Sequence, residues 1–435
     1  MARGLLHTSI CDELGIEYPI FLAGMSTRKR VPTPPELVAA VSEAGGLGVL
    51  GCSSVEPEEV RQRIHKVRSM TSKPFGVDLL LPASRAEVAT DREAVRAQLE
   101  REFPGHVAFV RSLREKMGLP EMKAEGSAMS ADFIEAQVRV VLEERVPVFA
   151  AALGDPAWVV PLAREVGTKV IGLAGSVRNA ERQKAAGVDI IVAQGTEAGG
   201  HTGRIATMPL VPQVVDAVAP TPVLAAGGIA DGRGVVAALA LGAVGAWCGT
   251  VFLMAEESGI FPEHQDDIAR SSSENFVVTR AYTGKTARDV RNVVIDEWEK
   301  SGLPFLPMPL QGVLMDDLTA AAEELPHRSD QQPRRPDRRH AHPPPAGARD
   351  LRRDGGSRRG HPGPPGGLAP SGRRPVAPVS VDRRAARRRT AGHERGRRAV
   401  GPDGGRVGRD GRRPMRPSCW RDFGARVVKV ERPQR

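Results

Sequence analysis

Asp189-Ile-Ile-Val-Ala-Gln-Gly-Thr-Glu-Ala-Gly-Gly-His-Thr-Gly203 is the stretch on which the reading of the fold turns. Its first five residues, Asp189–Ala193, form a short apolar run without alternation. A strand that is apolar at successive positions is buried on both faces, as parallel strands covered by helices are. Ahead of the run, Asn179–Ala186 has helical period and stops at Gly187, where positive φ carries no steric cost. After it comes a loop with three glycines in six residues, flexible enough to bring backbone close to a flat ligand. The unit is therefore helix, glycine, buried strand, glycine-rich loop.

Moving outward, the same unit recurs. Apolar runs lie at Tyr18–Ala23, Gly46–Leu50, Phe75–Leu81, Val146–Ala152, Lys169–Leu173, Asp189–Ala193, Thr221–Ala226 and Ala243–Leu253. Helical segments fall between them at Pro35–Ala44, Ala157–Val166, Asn179–Ala186, Leu210–Val218 and Gly234–Leu241. Eight strand–helix units predict an α/β chain folded as a (β/α)8 TIM barrel, with functional loops at the C-terminal ends of the strands. An open doubly wound sheet is the alternative arrangement of the same units. Residues 82–145 are too long for a plain connection and hold charged helical stretches at Ala86–Phe103, Val107–Met117 and Ala131–Glu144. They read as a helical insertion after the third strand, one that covers the site or serves structure alone.

The formal net charge of +10 conceals two different regions. Residues 331–435 contain 28 Arg and one Lys against nine carboxylates, a net charge of +20, which leaves −10 for residues 1–330. Arg, Pro and Gly fill 59 of those last 105 positions without apolar periodicity, so the segment cannot bury enough surface to offset chain entropy. It reads as a disordered or frame-shifted tail, with a basic arm binding nucleic acid non-specifically as the other possibility. Residues 1–330 read as an ordinary acidic globular region. No apolar run reaches the roughly 18 residues of a membrane span, and the opening residues lack the apolar stretch of a secretion signal. Cys11, Cys52, Cys248 and Cys419 form no C-x-x-C pair, which argues against a disulfide framework or zinc finger. The ten histidines show no ligand spacing, so no metal site is expected. A cytoplasmic location is the expectation.

Three segments carry candidate chemistry. Gln194–Gly203 ends in His201, an imidazole able to act as base or hydrogen-bond donor near neutral pH, or to serve as a structural residue of a turn. Ala225-Ala-Gly-Gly-Ile-Ala-Asp-Gly232 follows the seventh strand, and Trp247-Cys-Gly-Thr250 lies at the eighth. Barrels often bind phosphate with the loops after those two strands and a helix N-terminus.

Together with Pro19-Ile-Phe-Leu-Ala-Gly-Met25, Glu43-Ala-Gly-Gly-Leu-Gly48 and Pro74-Phe-Gly-Val-Asp78, these segments resemble the nitronate monooxygenase (2-nitropropane dioxygenase) family over roughly residues 10–325. The Glu-Ala-Gly-Gly-His string is shared with flavin-dependent enoyl-acyl-carrier-protein reductases. The resemblance implies FMN as cofactor, with Ala23, Gly24 and Met25 along the isoalloxazine edge and Gln194 bonded to the flavin. It further implies that Gly199 and Gly200 let the loop pass close, and that Gly227, Gly228, Gly249 and Thr250 hold the phosphate. Trp247 and Cys248 would line that stretch, and His201 would be the active-site histidine. Asp78 stands where the family commonly has Asn; a carboxylate only accepts hydrogen bonds whereas an amide also donates. The implied reaction converts an alkyl nitronate, or a nitroalkane, and O2 to a carbonyl compound and nitrite. An NAD(P)H-dependent flavin reductase on the same barrel is the alternative enzyme. Glu257-Ser258 and Tyr282-Thr-Gly-Lys-Thr-Ala-Arg288 resemble further family segments, the latter expected to shape the site. Arg421–Pro433 resembles the start of family III CoA-transferases.

Overall fold

The computed structural model describes residues 6–26, 31–53, 55–81, 92–124 and 131–323. Their strands are β1 (Ile20–Leu22), β2 (Gly48–Gly51), β3 (Phe75–Leu80), β4 (Val148–Ala152), β5 (Lys169–Ala174), β6 (Ile190–Gln194), β7 (Gly200–His201), β8 (Val223–Ala226), β9 (Gly245–Cys248), β10 (Phe276–Thr279) and β11 (Ala287–Val290). Eight of them form one parallel sheet in the order β1-β9-β8-β6-β5-β4-β3-β2. The sheet closes on itself. Phe21 bridges to Leu47, the Leu22 N–H donates to the Leu47 carbonyl at 2.9 Å, and the Leu47 N–H donates to that of Ile20 at 2.9 Å. The result is the TIM barrel that the eight apolar runs predict.

Alternation along the strands, invisible in uniformly apolar runs, becomes plain in the packing. Phe21, Val49, Val148, Ala150, Ile171, Ile190, Val192, Leu224 and Trp247 fill the barrel interior. Leu22, Leu50, Val77, Phe149, Val170, Ile191, Ala193 and Val223 face the helices. Helix Ser9–Leu14 stoppers the interior at the N-terminal ends of the strands, adding Ile10, Cys11 and Leu14 to its core. The Thr8 hydroxyl donates to the Val244 carbonyl at 2.6 Å and Glu13 pairs with Lys169 at 3.0 Å, both at strand starts.

Three expectations change. The run Ala243–Leu253 is strand only as far as Cys248; after Gly249 the chain turns into the short helix Thr250–Leu253. Helix Ala131–Glu143 belongs to the barrel: Ile134, Val138 and Val141 join the outer core, and the buried Gln137 amide donates to the carbonyls of Cys52 and Val55. Helices Arg92–Glu102 and Pro104–Lys116 instead pack with Val293–Ser301 and Leu310–Glu323 around the buried Trp298. The Phe109 and Phe305 rings lie 5.2 and 5.7 Å from it. The inserted helices are thus completed by the chain's later part, a long-range pairing that local periodicity does not disclose. Residues 331–435, with the tail and the Arg421–Pro433 resemblance, lie outside the described residues, as does the start of Ala86–Phe103.

Among the described residues no helix is long and apolar enough to cross a membrane, and no group of side chains is arranged to hold a metal ion. Cys11, Cys52 and Cys248 are buried free thiols.

Candidate functional site

The glycine-rich loop quoted first leaves the barrel at Gln194, whose side-chain amide donates to the His201 carbonyl at 3.0 Å and draws the loop back over the strand end. The Thr202 hydroxyl donates to the Gly195 carbonyl at 2.8 Å, a second tie across the same turn. Gly200, at φ +72°, starts β7, which pairs antiparallel with β11 through Gly200–Arg288 and His201–Ala287. With β10 these make a three-stranded sheet over the mouth. The His201 ring is fixed as well: its Nε2 lies 2.9 Å from the Thr283 hydroxyl. Thr283 belongs to the segment Tyr282–Arg288 that the family resemblance singled out, and its place against the histidine gives that segment a physical role. Ser258 and Gly259 instead bond the Pro32 carbonyl, away from the loop.

Glu197 and Thr207 escaped the sequence reading. The Glu197 carboxylate accepts from the Thr207 N–H at 2.8 Å and from its hydroxyl at 2.8 Å. An anionic acceptor at the start of helix Thr207–Val218 satisfies a terminal donor and complements the helix dipole. Thr207 explains two neighbouring glycines. A Cβ on Gly195 would lie 2.0 Å from the Thr207 hydroxyl, and one on Gly227 2.7 Å from it. The available signal was a threonine opening an apolar helical period ten residues after a glutamate.

The two other glycine segments meet because β8 and β9 are neighbours, with Ala226 in register with Trp247. Gly227 and Gly228 have φ of +108° and +70°, conformations side chains resist. Beyond Gly228 the first atom a Cβ would meet is 3.5 Å away, and at Gly249 the first is the Met25 sulfur at 3.5 Å. At both positions a Cβ would meet its first neighbour in ordinary van der Waals contact. Asp231 caps helix Gly232–Ala240, accepting from the N–H groups of Arg233 at 2.9 Å and Gly234 at 3.4 Å. Trp247 and Cys248 contribute differently from the expected lining. The Trp247 ring packs inward on Phe21 at 6.2 Å, and Cys248 packs outward against Val235, its thiol pushed up to about 12 by burial. Thr250 is buried at the start of the helical turn.

Next to β9, Ala23, Gly24 and Met25 follow β1, and the Ala23 N–H donates to the Cys248 carbonyl at 2.8 Å. The buried Thr33 hydroxyl clamps this segment, accepting from the N–H groups of Met25 and Gly51 and donating to the Met25 carbonyl, each at 3.0 Å. Asp78 stands beside it on β3. A Cβ on Gly24 would fall 2.3 Å from the Asp78 Cβ, so the two chains touch. Asp78 is 5% exposed, its Oδ1 has no hydrogen-bond partner, and burial holds its carboxyl well above the usual carboxylate range.

The candidate residues thus come from five strand ends onto one rim. The glycine backbones at 228 and 249 present no side chain to a phosphate, and the buried Ser26 and Asp78 oxygens without partners leave polar atoms for a heterocycle. These residues fit a flavin.

Comparison with known proteins agrees with this architecture. The nitronate monooxygenase family model matches residues 7–331. A Mycobacterium tuberculosis protein designated monooxygenase Rv1533 is 42% identical over 324 residues, covering 72% of this chain and 84% of that protein. A Staphylococcus aureus protein designated a nitronate monooxygenase is 35% identical over 338 residues, 74% of this chain and 90% of the relative. Among solved structures, a nitroalkane oxidase from Streptomyces ansochromogenes aligns with a TM-score of 0.60 and 32% identity over 72% of this chain and 87% of that one. FabK from Thermotoga maritima aligns at 0.53, with 32% identity, over 73% and 81% of the two chains.

Proposed function

This chain belongs to the nitronate monooxygenase family, an oxidoreductase family, and we propose that its barrel mouth holds one FMN non-covalently and oxidises alkyl nitronates with O2 to a carbonyl compound and nitrite. The observation that carries the reading is the convergence of the Gly228 and Gly249 backbones, the Ala23–Met25 edge and His201 at the C-terminal strand ends. FMN, when bound, would supply the redox chemistry between the substrate and O2.

The chain's own residues position and move charge. Gly227, whose carbonyl accepts from the Thr207 hydroxyl at 3.1 Å, and Gly228, both at positive φ, keep a wall of backbone where a side chain would block a phosphate. His201 is tethered at the backbone by β11 and at Nε2 by Thr283, so its ring is held in one orientation. Protonated, it supplies positive charge and a donor to a nitronate anion. Neutral, it can take the α-proton of a nitroalkane, a task it does not have when the nitronate is supplied preformed.

FabK's likeness favours a second reading, an NAD(P)H-dependent reductase of the enoyl-acyl-carrier-protein type. Anaerobic titration of the purified flavoprotein separates the two. Bleaching of the flavin by a nitronate and not by NAD(P)H is the expected result; rapid bleaching by NAD(P)H and none by nitronate would transfer the assignment to the reductase. A protein that carries FAD, or takes up no flavin on reconstitution, would overturn the cofactor.

A further inference from the structure

We propose that Asp78 positions the flavin as a neutral carboxylic acid, donating its O–H to an acceptor on the ring where an amide would donate N–H. The inference rests on the FMN reading above and deepens it. Three observations place the group. Phe75, Val77 and Leu79 belong to the outer core, so by strand alternation Gly76, Asp78 and Leu80 face the barrel interior. Asp78 pairs with Gly51 of β2 and Ala150 of β4 near the C-terminal strand ends, which puts its carboxyl at the top of the apolar interior. The Gly24 backbone holds its stem, while Oδ1 is buried without a partner.

Among the described residues no hydrogen-bond donor reaches Asp78 Oδ1, and burial is what moves its carboxyl. From β1 come Ala23, Gly24 and Met25, and from β4 come Ala150 and Ala152, none of them titratable. From the segment after β2 comes Cys52, whose thiol burial pushes up to about 12 and so stays neutral. Arg63, on helix Pro57–Met70, approaches the Cys52 thiol and is paired with Glu59, and burial is the influence on Asp78. Gln137, from helix Ala131–Glu143, spends its amide on the carbonyls of Cys52 and Val55. An unpaired carboxylate in such a place neutralises itself by binding a proton. The neutral acid then gains what a carboxylate lacks, a donor. The proton belongs to the form that binds flavin, so rising pH removes the contact and falling pH does not.

The test uses the full chain, its Asp78→Asn and Asp78→Leu variants, and FMN. Infrared difference spectra of FMN binding at neutral pH should show a protonated-carboxyl carbonyl band that shifts in D2O and is missing in Asp78→Asn. The Asn variant should keep FMN affinity within a few-fold of the parent's, and the Leu variant should lose about tenfold or more, the loss expected when a buried acceptor goes unpaired. Any divergence between parent and Asn variant should set in as pH rises; the comparison cancels titration of the ligand phosphate. A parent spectrum without the band, or an Asn variant that binds FMN tenfold more weakly, would overturn the proposal by marking an ionised acceptor. Failure of all three proteins to bind FMN at any pH would instead sink the flavin reading itself.

Discussion

The two ends of the barrel are built from the same strands and solve opposite problems. At the N-terminal end, helix Ser9–Leu14 pushes Ile10, Cys11 and Leu14 into the interior, and the polar groups around it are paired. At the C-terminal end the interior finishes in Asp78 with an unpartnered oxygen, and Gly200, Gly227 and Gly228 take positive φ in the loops after β6 and β8. One end satisfies every rule of a stable core. The other breaks several of them within one rim, as a site must when it keeps groups for a ligand. Substitutions at the two ends should therefore fail in different currencies: stability at the closed end, flavin or turnover at the open one.

The largest effect belongs to His201. His201→Asn should retain FMN yet lower turnover of a neutral nitroalkane by about 10²–10⁴-fold, the usual contribution of a positioned acid–base group. The loss should be smaller for preformed nitronate, which needs no proton removed. Steady-state rates on both substrates decide it; equal rates for variant and parent would reduce the histidine to a prop for β7.

At the closed end, Ile10→Ala should cost about 2–5 kcal/mol of stability, the range for deleting a fully buried aliphatic side chain. Ile10 is 0% exposed and lies far down the interior from the rim. Chemical denaturation should show the shift while the FMN content of the folded fraction stays unchanged. Loss of flavin in parallel with stability would mean the two ends are coupled through the interior layers.

A matched pair of glycines sharpens the contrast further. Gly15 caps helix Ser9–Leu14 at φ +68°, with nothing within 4 Å of a would-be Cβ, and Gly228 has φ +70° with its first neighbour 3.5 Å away. The backbone cost of alanine should be about 1–2 kcal/mol at each. Gly15→Ala should show it only in the unfolding midpoint. Gly228→Ala should add a loss of FMN affinity, because there the methyl projects toward the space assigned to the phosphate. Flavin dissociation constants for the two variants make the comparison; identical values would remove Gly228 from the site.

How much of this was legible beforehand follows from where the information lies. Uniformly apolar runs such as Asp189–Ala193 announce two-sided burial, so the barrel could be read locally. The glycine strings could too, since positive φ restricts residue choice at each position. Thr283 on His201 and Glu197 on Thr207 could not be placed in this way. The first partner is 82 residues away, and the second pair joins a loop to a helix whose packing decides the approach. The Trp298 core was hidden for the same reason: helices near residue 100 are completed by helices near residue 310. Asp78 was visible as a departure from the family's Asn, but its burial and lack of a partner emerge only when Gly24 is brought against it.

The smallest effect expected is from the largest change, removal of residues 331–435. The family match ends at residue 331, and every strand of the barrel and every candidate residue precedes residue 291. The segment's net charge of +20 and its 59 Arg, Pro and Gly residues supply no apolar face to pack on the barrel. Truncation should leave FMN content and turnover unchanged while moving the isoelectric point from strongly basic to acidic. Any nucleic acid that copurifies should vanish with the segment, and its retention by the full chain should fall steeply with salt, as phosphate-driven binding does. A truncated protein that precipitates or loses FMN would show that residues beyond 330 complete the barrel, and the line drawn there between core and appendage would have to move.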